Sequence, residues 1–271
     1  MRSTVVLATL LIGVSLPILP VTAQESDEEW LERCDRNGWD NDRRERFCEI
    51  REYGFRPSGS PIQIDAGHNG GIMVRGWNRD SVAVSARIQV EARTMDRARE
   101  AARAITIEAG QNGIRANRSD ASSSTGWSVT FVVYVPHRTS LRAETYNGPI
   151  GVDEVTGDMT LRAHNGPLSL RNIGGDVRAR TTNGPLTVDL EGKSWQGAGL
   201  DAETQNGPVD LTIPEGYSAR LTTGTTNGPM RIGFPVTIQG RFDRRINTTL
   251  GEGGPPIRVI TTNGPLVVRR G

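Results

Sequence analysis

The sequence has little of what most catalytic and nucleic-acid-binding proteins need. Its 271 residues include 32 Lys or Arg and 31 Asp or Glu, so the formal net charge is +1. A balanced charge gives no general attraction for nucleic acid, and no nucleic-acid partner is expected. Three scattered histidines and two cysteines are too few for a metal site, so we expect no metal and no cofactor. No Gly-x-Ser-x-Gly elbow or phosphate-binding loop is present, which argues against the common hydrolases and nucleotide enzymes.

Long apolar runs are absent after residue 23. Residues 1–23 combine a basic start, an apolar stretch and a small-residue end, which predicts a cleaved export signal with the cut between Ala23 and Gln24. The alternative is a membrane anchor, but Pro17 and Pro20 interrupt a stretch that is already short for a span. We therefore expect an extracytoplasmic protein, in the periplasm or at the cell surface, with no transmembrane span in the mature chain.

The two cysteines, Cys34 and Cys48, both lie in residues 24–56, a segment of dense mixed charge. Two stretches, about 26–35 and 41–52, predict a helical hairpin. A disulfide between the cysteines is the default in an oxidising compartment. We interpret this segment as a cap or stalk, and the alternative is a separate recognition or sensing element.

Alternating apolar and polar residues begin after this segment and indicate β-strands over 57–271. One helix, predicted over 94–105 from apolar positions three and four residues apart, interrupts them. The short sequences HNGG at 68–71 and QNG at 111–113 resemble degenerate copies of a turn that recurs later.

That turn is Asn-Gly-Pro, and its flanking positions alternate between apolar and polar residues. A β-meander would not need the same residue at equivalent turns, whereas stacked coils place equivalent residues about 4.8 Å apart. The spacing, 18 residues for the first two intervals, predicts an all-β fold: a single-stranded parallel β-solenoid of about 18-residue coils, with the helical hairpin before it and the one helix inserted near its start. The six turns begin at Asn147, Asn165, Asn183, Asn206, Asn227 and Asn263.

Stacked coils predict columns of identical residues. The six asparagines should form an internal, hydrogen-bonded structural ladder, with Gly supplying a positive φ and Pro an extended exit. A degenerate coil is expected at 247–256, where the last interval is about twice the basic one. The C-terminal strand should be the last in the stack, and a loop from 233–256 is expected to cover it.

Outward-facing positions predict further contacts between coils. Opposite charges should meet in three pairs, which are Glu144 with Arg162, Arg178 with Asp201, and Arg180 with Glu203. Tyr146 should stack on His164 as surface filling, and the alternative is an aromatic platform for sugars. Asp158 and Asp176 also stack, but two carboxylates are too few for calcium.

These turns resemble those of the bacterial putative-adhesin (toastrack) family over roughly residues 60–271. The resemblance rests on the T-x-N-G-P turns, on the Gly-Asp pairs at 157–158 and 175–176, and on the closing GGPPIRVITTNGPLVV. It implies a β-helical fold, an envelope location and a binding or sensing module, which in some bacteria accompanies membrane-stress proteins. The family has no catalytic motif to carry over.

The sequence therefore favours an exported, non-enzymatic binding or sensing module. The alternatives are a polysaccharide-active lyase or glycosidase and a purely structural envelope protein. The expected partner is a component of the envelope, either a polysaccharide or a membrane-stress protein, and the protein is expected to be a monomer. No ligand-binding residues can be named from the sequence.

Overall fold

The computed structural model describes residues 26–36, 44–119, 125–234 and 244–271. Two short helices occur in this part of the chain, α1 (Asp27–Arg36) and α2 (Met95–Arg103), and nearly all other regular structure is strand. The all-β class is confirmed, and α2 is the helix expected over 94–105. The export signal, its cleavage site between Ala23 and Gln24, and the turn predicted between the two N-terminal helices lie outside the described residues.

Twenty strands occur in the described residues. Seven precede the repeated turns: β1 (Glu45–Phe55), β2 (Ile62–Asp65), β3 (Ile72–Trp77), β4 (Val82–Ala92), β5 (Ile105–Gly110), β6 (Gly113–Arg118) and β7 (Gly126–Pro136). Eight belong to the first four turns: β8 (Leu141–Asn147), β9 (Ile150–Asp153), β10 (Met159–Asn165), β11 (Leu168–Arg171), β12 (Asp176–Asn183), β13 (Leu186–Asp189), β14 (Gly199–Asn206) and β15 (Val209–Ile213). The last five are β16 (Ala219–Asn227), β17 (Met230–Ile232), β18 (Arg245–Leu250), β19 (Pro256–Asn263) and β20 (Leu266–Arg270).

These strands form two sheets. The first sheet has the order β1-β4-β7-β3-β9-β11-β13-β15-β20-β17, and the second has the order β18-β16-β19-β14-β12-β10-β8-β2-β6-β5. Each Asn-Gly-Pro turn leads from a strand of the second sheet to a strand of the first. We call such a pair of strands with its turn a rung, and we name it by its asparagine. The pair β2 and β3, joined through Asn69, makes a rung of the same kind.

Neighbouring rungs pair in parallel and keep the register of the turns. Asn165 lies opposite Asn147 on one side and opposite Asn183 on the other. Because side chains alternate across each strand, apolar columns from each sheet face inward. Leu161, Leu168 and Val188, for example, are fully buried between the sheets. Burying a side chain of this size contributes about 1.5–3 kcal/mol, so these columns are the main stabilising element.

The rungs do not stack in chain order. The Asn263 rung, made of β19 and β20, lies between the Asn206 rung and the Asn227 rung. The prediction that the C-terminal strand ends the stack is therefore wrong, because β20 pairs with β15 on one side and β17 on the other. In space the order of the rungs is Asn69, Asn147, Asn165, Asn183, Asn206, Asn263 and Asn227.

The expectation of a degenerate coil at 247–256 is wrong. In the described part of the interval before Asn263, the strand β18 runs antiparallel to β16 along the outer edge of the second sheet. The chain must return to the end of the sheet where β16 begins, because β19 starts there and pairs in parallel with β14. An antiparallel strand beside β16 makes this return directly. Part of 233–256 thus covers the last rung, but that rung is the one of Asn227.

The start of the stack is covered by long antiparallel strands. In the first sheet β1 pairs with β4, and β4 pairs with β7. The helix predicted over 41–52 is wrong in the described part, since β1 occupies residues 45–55. The backbone of β1 pairs with the edge of β4. Phe47, Tyr53 and Phe55 lie on the same face of β1 and pack against the core. Tertiary pairing overrides the helix propensity of the charged residues around them.

Helix α1 is fixed to this end by a disulfide and a charged contact. Cys34 of α1 is bonded to Cys48 of β1, with their Cα atoms 6.4 Å apart. Asp27 accepts hydrogen bonds from Ser85 and Arg87 of β4, each 2.8 Å long. The disulfide therefore joins a helix to a strand, and not two helices.

The expected copy of the turn at 111–113 is also different. Residues 110–113 form the tight antiparallel connection between β5 and β6, so they do not join the stack of turns. HNGG at 68–71, in contrast, does join it.

Candidate binding face

The asparagine side chains form one line along the molecule. Asn165 donates through Nδ2 to Oδ1 of Asn147 over 2.9 Å, and Asn183 donates in the same way to Asn165 over 2.7 Å. The corresponding bonds continue from Asn147 to Asn69, from Asn206 to Asn183, from Asn263 to Asn206 and from Asn227 to Asn263. These side chains are half-buried or exposed. The expectation of an internal column is wrong, because the turn places the amides at the surface.

The turn glycines serve close stacking and not a positive φ. None of the glycines in the Asn-Gly-Pro turns has a positive φ. A Cβ on Gly166 would lie closer than 3.0 Å to the carbonyl oxygen of Gly148, and the same holds for Gly184 over Gly166. Only glycine lets successive turns approach this closely.

Threonine completes the hydrogen bonding that proline interrupts. In the stack, the N–H of Ile150 donates to Pro167 O, and the N–H of Gly148 donates to Asn165 O. The intervening proline has no N–H, so the glycine carbonyl opposite it needs another donor. The buried Thr181 hydroxyl donates to Gly166 O over 2.8 Å. The equivalent bonds run from Thr145, Thr204, Thr261 and Thr225 to the glycine carbonyls of adjacent rungs.

The residue before each asparagine points outward, and in three rungs it is an aromatic ring. His68 and Tyr146 stack with ring centroids 4.7 Å apart and planes 13° apart. Tyr146 and His164 stack at 4.5 Å and 20°. Tyr146 is 45% exposed, and it is the one large hydrophobic side chain classed as exposed in the described residues. We call these three residues the ring stack. Sequence reasoning found two of its members and missed His68, whose turn lacks proline.

The geometry of the ring stack argues against a platform for sugar rings. Both faces of Tyr146 are covered by the two imidazoles, so the ring edges of the stack lie toward solvent. Those edges carry the Tyr146 hydroxyl and imidazole nitrogens, which are hydrogen-bonding groups. The stack therefore presents a polar edge with an apolar base.

A shallow depression of ≈ 450 Å³ lies beside the ring stack on the outer face of the second sheet. Charged side chains of both signs line it, namely Asp65, Arg142, Glu144 and Arg162. Its continuation, of ≈ 570 Å³, includes Tyr146 and His164. We call the ring stack together with these four charged residues the binding face.

Further along the same sheet, the charged side chains on the outer face form ion pairs with one another. Arg258 contacts Asp201 at 2.6 Å and Glu203 at 3.1 Å. Arg180 bonds to Asp201 and lies 3.8 Å from Glu203. Burial raises the pKa of Asp201, but the hydrogen bonds and charges of the two arginines outweigh it and hold that pKa below its ordinary value. The same contacts outweigh the effect of burial on Arg258 and raise its pKa.

The three expected charge pairs have different outcomes. Arg180 and Glu203 lie opposite each other and are within ion-pair distance. Arg178 lies opposite Asp201 but contacts Asp176 at 3.1 Å instead. Glu144 and Arg162 lie opposite each other without an ion pair in the described part of the chain. The predicted register between rungs is correct, but the ion pairs form with residues of the same strand as well as with those of the adjacent strand.

No group of three or more His, Cys, Asp or Glu side chains within the described residues is arranged to hold a metal ion. Asp176, one of the two stacked aspartates, accepts a hydrogen bond from Arg178. None of the helices in the described ranges is long and apolar enough to cross a membrane.

No family model matches the chain, and no curated protein matches its sequence. It is similar to the solved structure of a "putative cell adhesion protein" from Clostridium sporogenes ATCC 15579, with a TM-score of 0.48 and 9% identity over 84% of this chain and 100% of the other. A "putative adhesin" from Bacteroides fragilis NCTC 9343 gives a TM-score of 0.35 and 12% identity over 83% and 97%. A "Putative lipid binding protein" from Parabacteroides distasonis ATCC 8503 gives a TM-score of 0.32 and 7% identity, over 82% of this chain and 96% of the other.

Proposed function

We propose that this protein is an exported, non-enzymatic binding module of the bacterial cell envelope. In this proposal it contacts an envelope component through the binding face, either for adhesin-like attachment or to sense envelope stress. The parallel, in-register rungs support the interpretation of residues 57–271 as a single-stranded β-solenoid with coils of about 18 residues. Such a scaffold holds outward side chains at fixed spacings.

The single observation that carries the proposal is the exposed Tyr146 between two histidines. Large exposed aromatic residues are concentrated at contact surfaces, because they offer area with little loss of conformational entropy. In the other rungs the same position holds a threonine or glutamine: Thr182, Gln205, Thr226 and Thr262. The scaffold thus does not require a ring there.

The proposed location rests on two features. The sequence predicts an export signal over residues 1–23, and a disulfide joins Cys34 to Cys48. A structural disulfide persists in an oxidising compartment such as the periplasm or the cell surface. Mass spectrometry of protein isolated from the envelope tests both points, since it should begin at Gln24 and contain no free thiol.

The experiment for the function measures binding of the chain from Gln24 onward to isolated envelope fractions. Saturable binding is expected, and Tyr146→Ala should weaken it about tenfold, since loss of a central aromatic contact costs 1 kcal/mol or more. Gln205→Ala is the matched control, because it truncates the same position in another rung and should bind as the wild type does. Absence of saturable binding would favour the purely structural alternative.

A polysaccharide-active enzyme is the second candidate, and one contact favours it. Asp65 and Glu144 lie opposite each other in adjacent rungs, and a pair of nearby carboxylates is what a glycosidase uses. Incubation with polysaccharides and analysis of their chain length decides between the two. Shortened products that disappear in Glu144→Gln would replace the binding proposal with an enzymatic one.

A further inference from the structure

Like charges lie opposite each other at two places in one line of outward-facing residues that crosses the binding face. Asp65 is opposite Glu144, and in the same line Arg162 is opposite Arg180. Residues paired across adjacent strands are separated by about 5 Å, and like charges placed so destabilise a sheet. An arrangement that opposes stability and is repeated within four rungs indicates a role in binding.

The two arginines at the ends of this line, Arg115 and Arg180, form ion pairs with acids that lie outside it. Arg115, which lies opposite Asp65 on its other side, bonds to Glu108 at 2.6 Å. Arg180 bonds to Asp201. The charge of Arg115 is therefore taken up by Glu108, and the charge of Arg180, which borders the continuation of the depression, is taken up by Asp201.

The inner charges are left without ion pairs. In the described residues no ion pair joins Asp65, Glu144, Arg142 or Arg162 to one another, although all four line one depression. The carboxylate of Asp65 accepts a hydrogen bond from the N–H of Gly67 over 2.8 Å, which fixes one of its oxygens, and the residue is exposed. Two acids and two arginines are thus available to a ligand, side by side.

The shape of the face restricts the ligand further. The depression is open and runs on past Tyr146 and His164, so it fits a chain that passes over it better than a small molecule that must be enclosed. Most of the described residues that line it carry polar or charged side chains, and the depression is open, so it does not enclose an acyl chain. The polar ring edges can hydrogen-bond to hydroxyl groups.

We infer that the binding face takes a zwitterionic polysaccharide, whose sugar units carry both amines and carboxylates. An amine lies against Asp65 and Glu144, and a carboxylate lies against Arg142 and Arg162. The ring edges hydrogen-bond to the sugar hydroxyls between them. This inference rests on the proposed binding function and names the ligand class for the same face.

The experiment uses three matched oligosaccharide probes in isothermal titration calorimetry. Hyaluronan oligosaccharides carry carboxylates only, the same oligosaccharides freed of N-acetyl groups carry both charges, and chitosan oligomers carry amines only. The doubly charged probe should bind about tenfold or more tightly than either of the others, because it alone gains charge-assisted hydrogen bonds at both pairs.

Two charge-neutral variants separate the halves of the site. Asp65→Asn with Glu144→Gln should bind the doubly charged probe no better than acetylated hyaluronan. Arg142→Gln with Arg162→Gln should bind it no better than chitosan. Arg220→Gln, an exposed arginine on β16 far from the face, should keep the wild-type preference. Melting curves check that all variants fold, which is expected at exposed positions.

The inference fails if the wild type binds all three probes equally, or if its preference survives neutralisation of the acids. Binding to phosphatidylethanolamine vesicles without binding to any oligosaccharide would also overturn it and indicate a lipid ligand. If envelope fractions still bind in a Tyr146-dependent way while the probes show no preference, the ligand class is wrong and the proposed function stands.

Discussion

The two halves of the second sheet have the same backbone and different outer surfaces. From the Asn69 rung to the Asn165 rung, the outer face carries stacked rings and charges without ion pairs. From the Asn183 rung onward, threonine and glutamine replace the rings, and the charges close into the cluster around Asp201. The inward and turn positions, in contrast, hardly change along the stack.

This difference teaches which positions specify the fold and which are free to specialise. The glycine, threonine and asparagine columns recur in both halves because adjacent rungs must satisfy one another. The outward positions do not take part in the hydrogen bonding and close stacking between rungs. Charged residues there that form no ion pair therefore indicate a ligand. Substitutions in shared columns should therefore affect stability in both halves, and substitutions at outward positions should affect binding in one.

The largest effect is expected for Gly184→Ala. The added Cβ would overlap the carbonyl oxygen of Gly166, which is backbone and cannot move without displacing a rung. We expect a loss of about 3 kcal/mol or more, or failure to fold, measured by urea denaturation. Gly110→Ala is the control, because its Cβ would meet no atom within 4 Å. Equal stability of the two variants would show that close stacking does not explain the glycine column.

Thr204→Val should come next. Thr204 is fully buried, and its hydroxyl donates to Gly184 O over 2.7 Å. Valine keeps the shape but leaves this carbonyl short of a donor, which should cost about 1–2 kcal/mol. Thr187→Val, on the outer face of the first sheet, should cost much less. A neutral effect at Thr204 would contradict the idea that threonine replaces the missing proline N–H.

Asn183→Ala should cost less than the threonine variant. It removes the bonds to Asn165 and Asn206, but these amides lie at the surface and can turn to water. We expect a loss of about 0.5–1 kcal/mol in thermal denaturation. A loss above about 2 kcal/mol would show that the ladder is cooperative and shared through the whole stack.

Ala163→Thr should stabilise the protein. Ala163 occupies the threonine column, opposite Thr145 and Thr181, and is 5% exposed. A hydroxyl there can donate to the carbonyl of Gly148, so the expected gain is about 0.5–1 kcal/mol by denaturant titration. The variant Ala163→Val is the control, since it adds similar bulk without a donor and should not stabilise. A gain with valine alone would attribute the effect to packing.

The smallest effect is expected for Asp201→Asn, and it should depend on pH. Its ion pairs with Arg180 and Arg258 are between side chains that are about a third exposed or more, so their contribution is about 0.5 kcal/mol after screening. Because the folded pKa of Asp201 lies below the unfolded value of about 3.9, this stabilisation is present above about pH 4 and is lost as the pH falls further. The stability difference between wild type and variant should be constant from pH 5 to 8 and narrow below pH 4. A difference independent of pH would place its cause elsewhere.

The sequence predicted the parts of the fold that repeat. Recurring Asn, Gly and Thr residues align because each recurrence is a register between rungs, and the stacking of Tyr146 on His164 follows from that register. His68 and Asp65 were missed as site residues because their rung lacks the complete turn motif.

The order of the rungs, the strand β1 and the role of the turn glycines could not be predicted, because each depends on contacts between segments far apart in the chain. Identical turns stack equally well in any order, so nothing in the turns of Asn206, Asn227 and Asn263 reveals which are neighbours. The strand β1 was hidden by charged residues with good helix propensity, since the edge that recruits it, β4, lies far along the chain. The role of the turn glycines depends on a distance between rungs that a single turn does not show.

The insertion of the Asn263 rung has a consequence for how the molecule is completed. Residues 256–270 follow every other rung in the chain, yet they occupy an interior layer with neighbours on both sides. Without them, the matching columns that the described rungs would offer to the Asn227 rung are those of the Asn206 rung, which residues 256–270 cover in the folded protein. A chain cut short near its end would therefore lack a middle layer and not merely its last one. The Asn227 rung thus depends for its pairing on residues that follow it in the chain, because β19 and β20 join it to the rest of the stack.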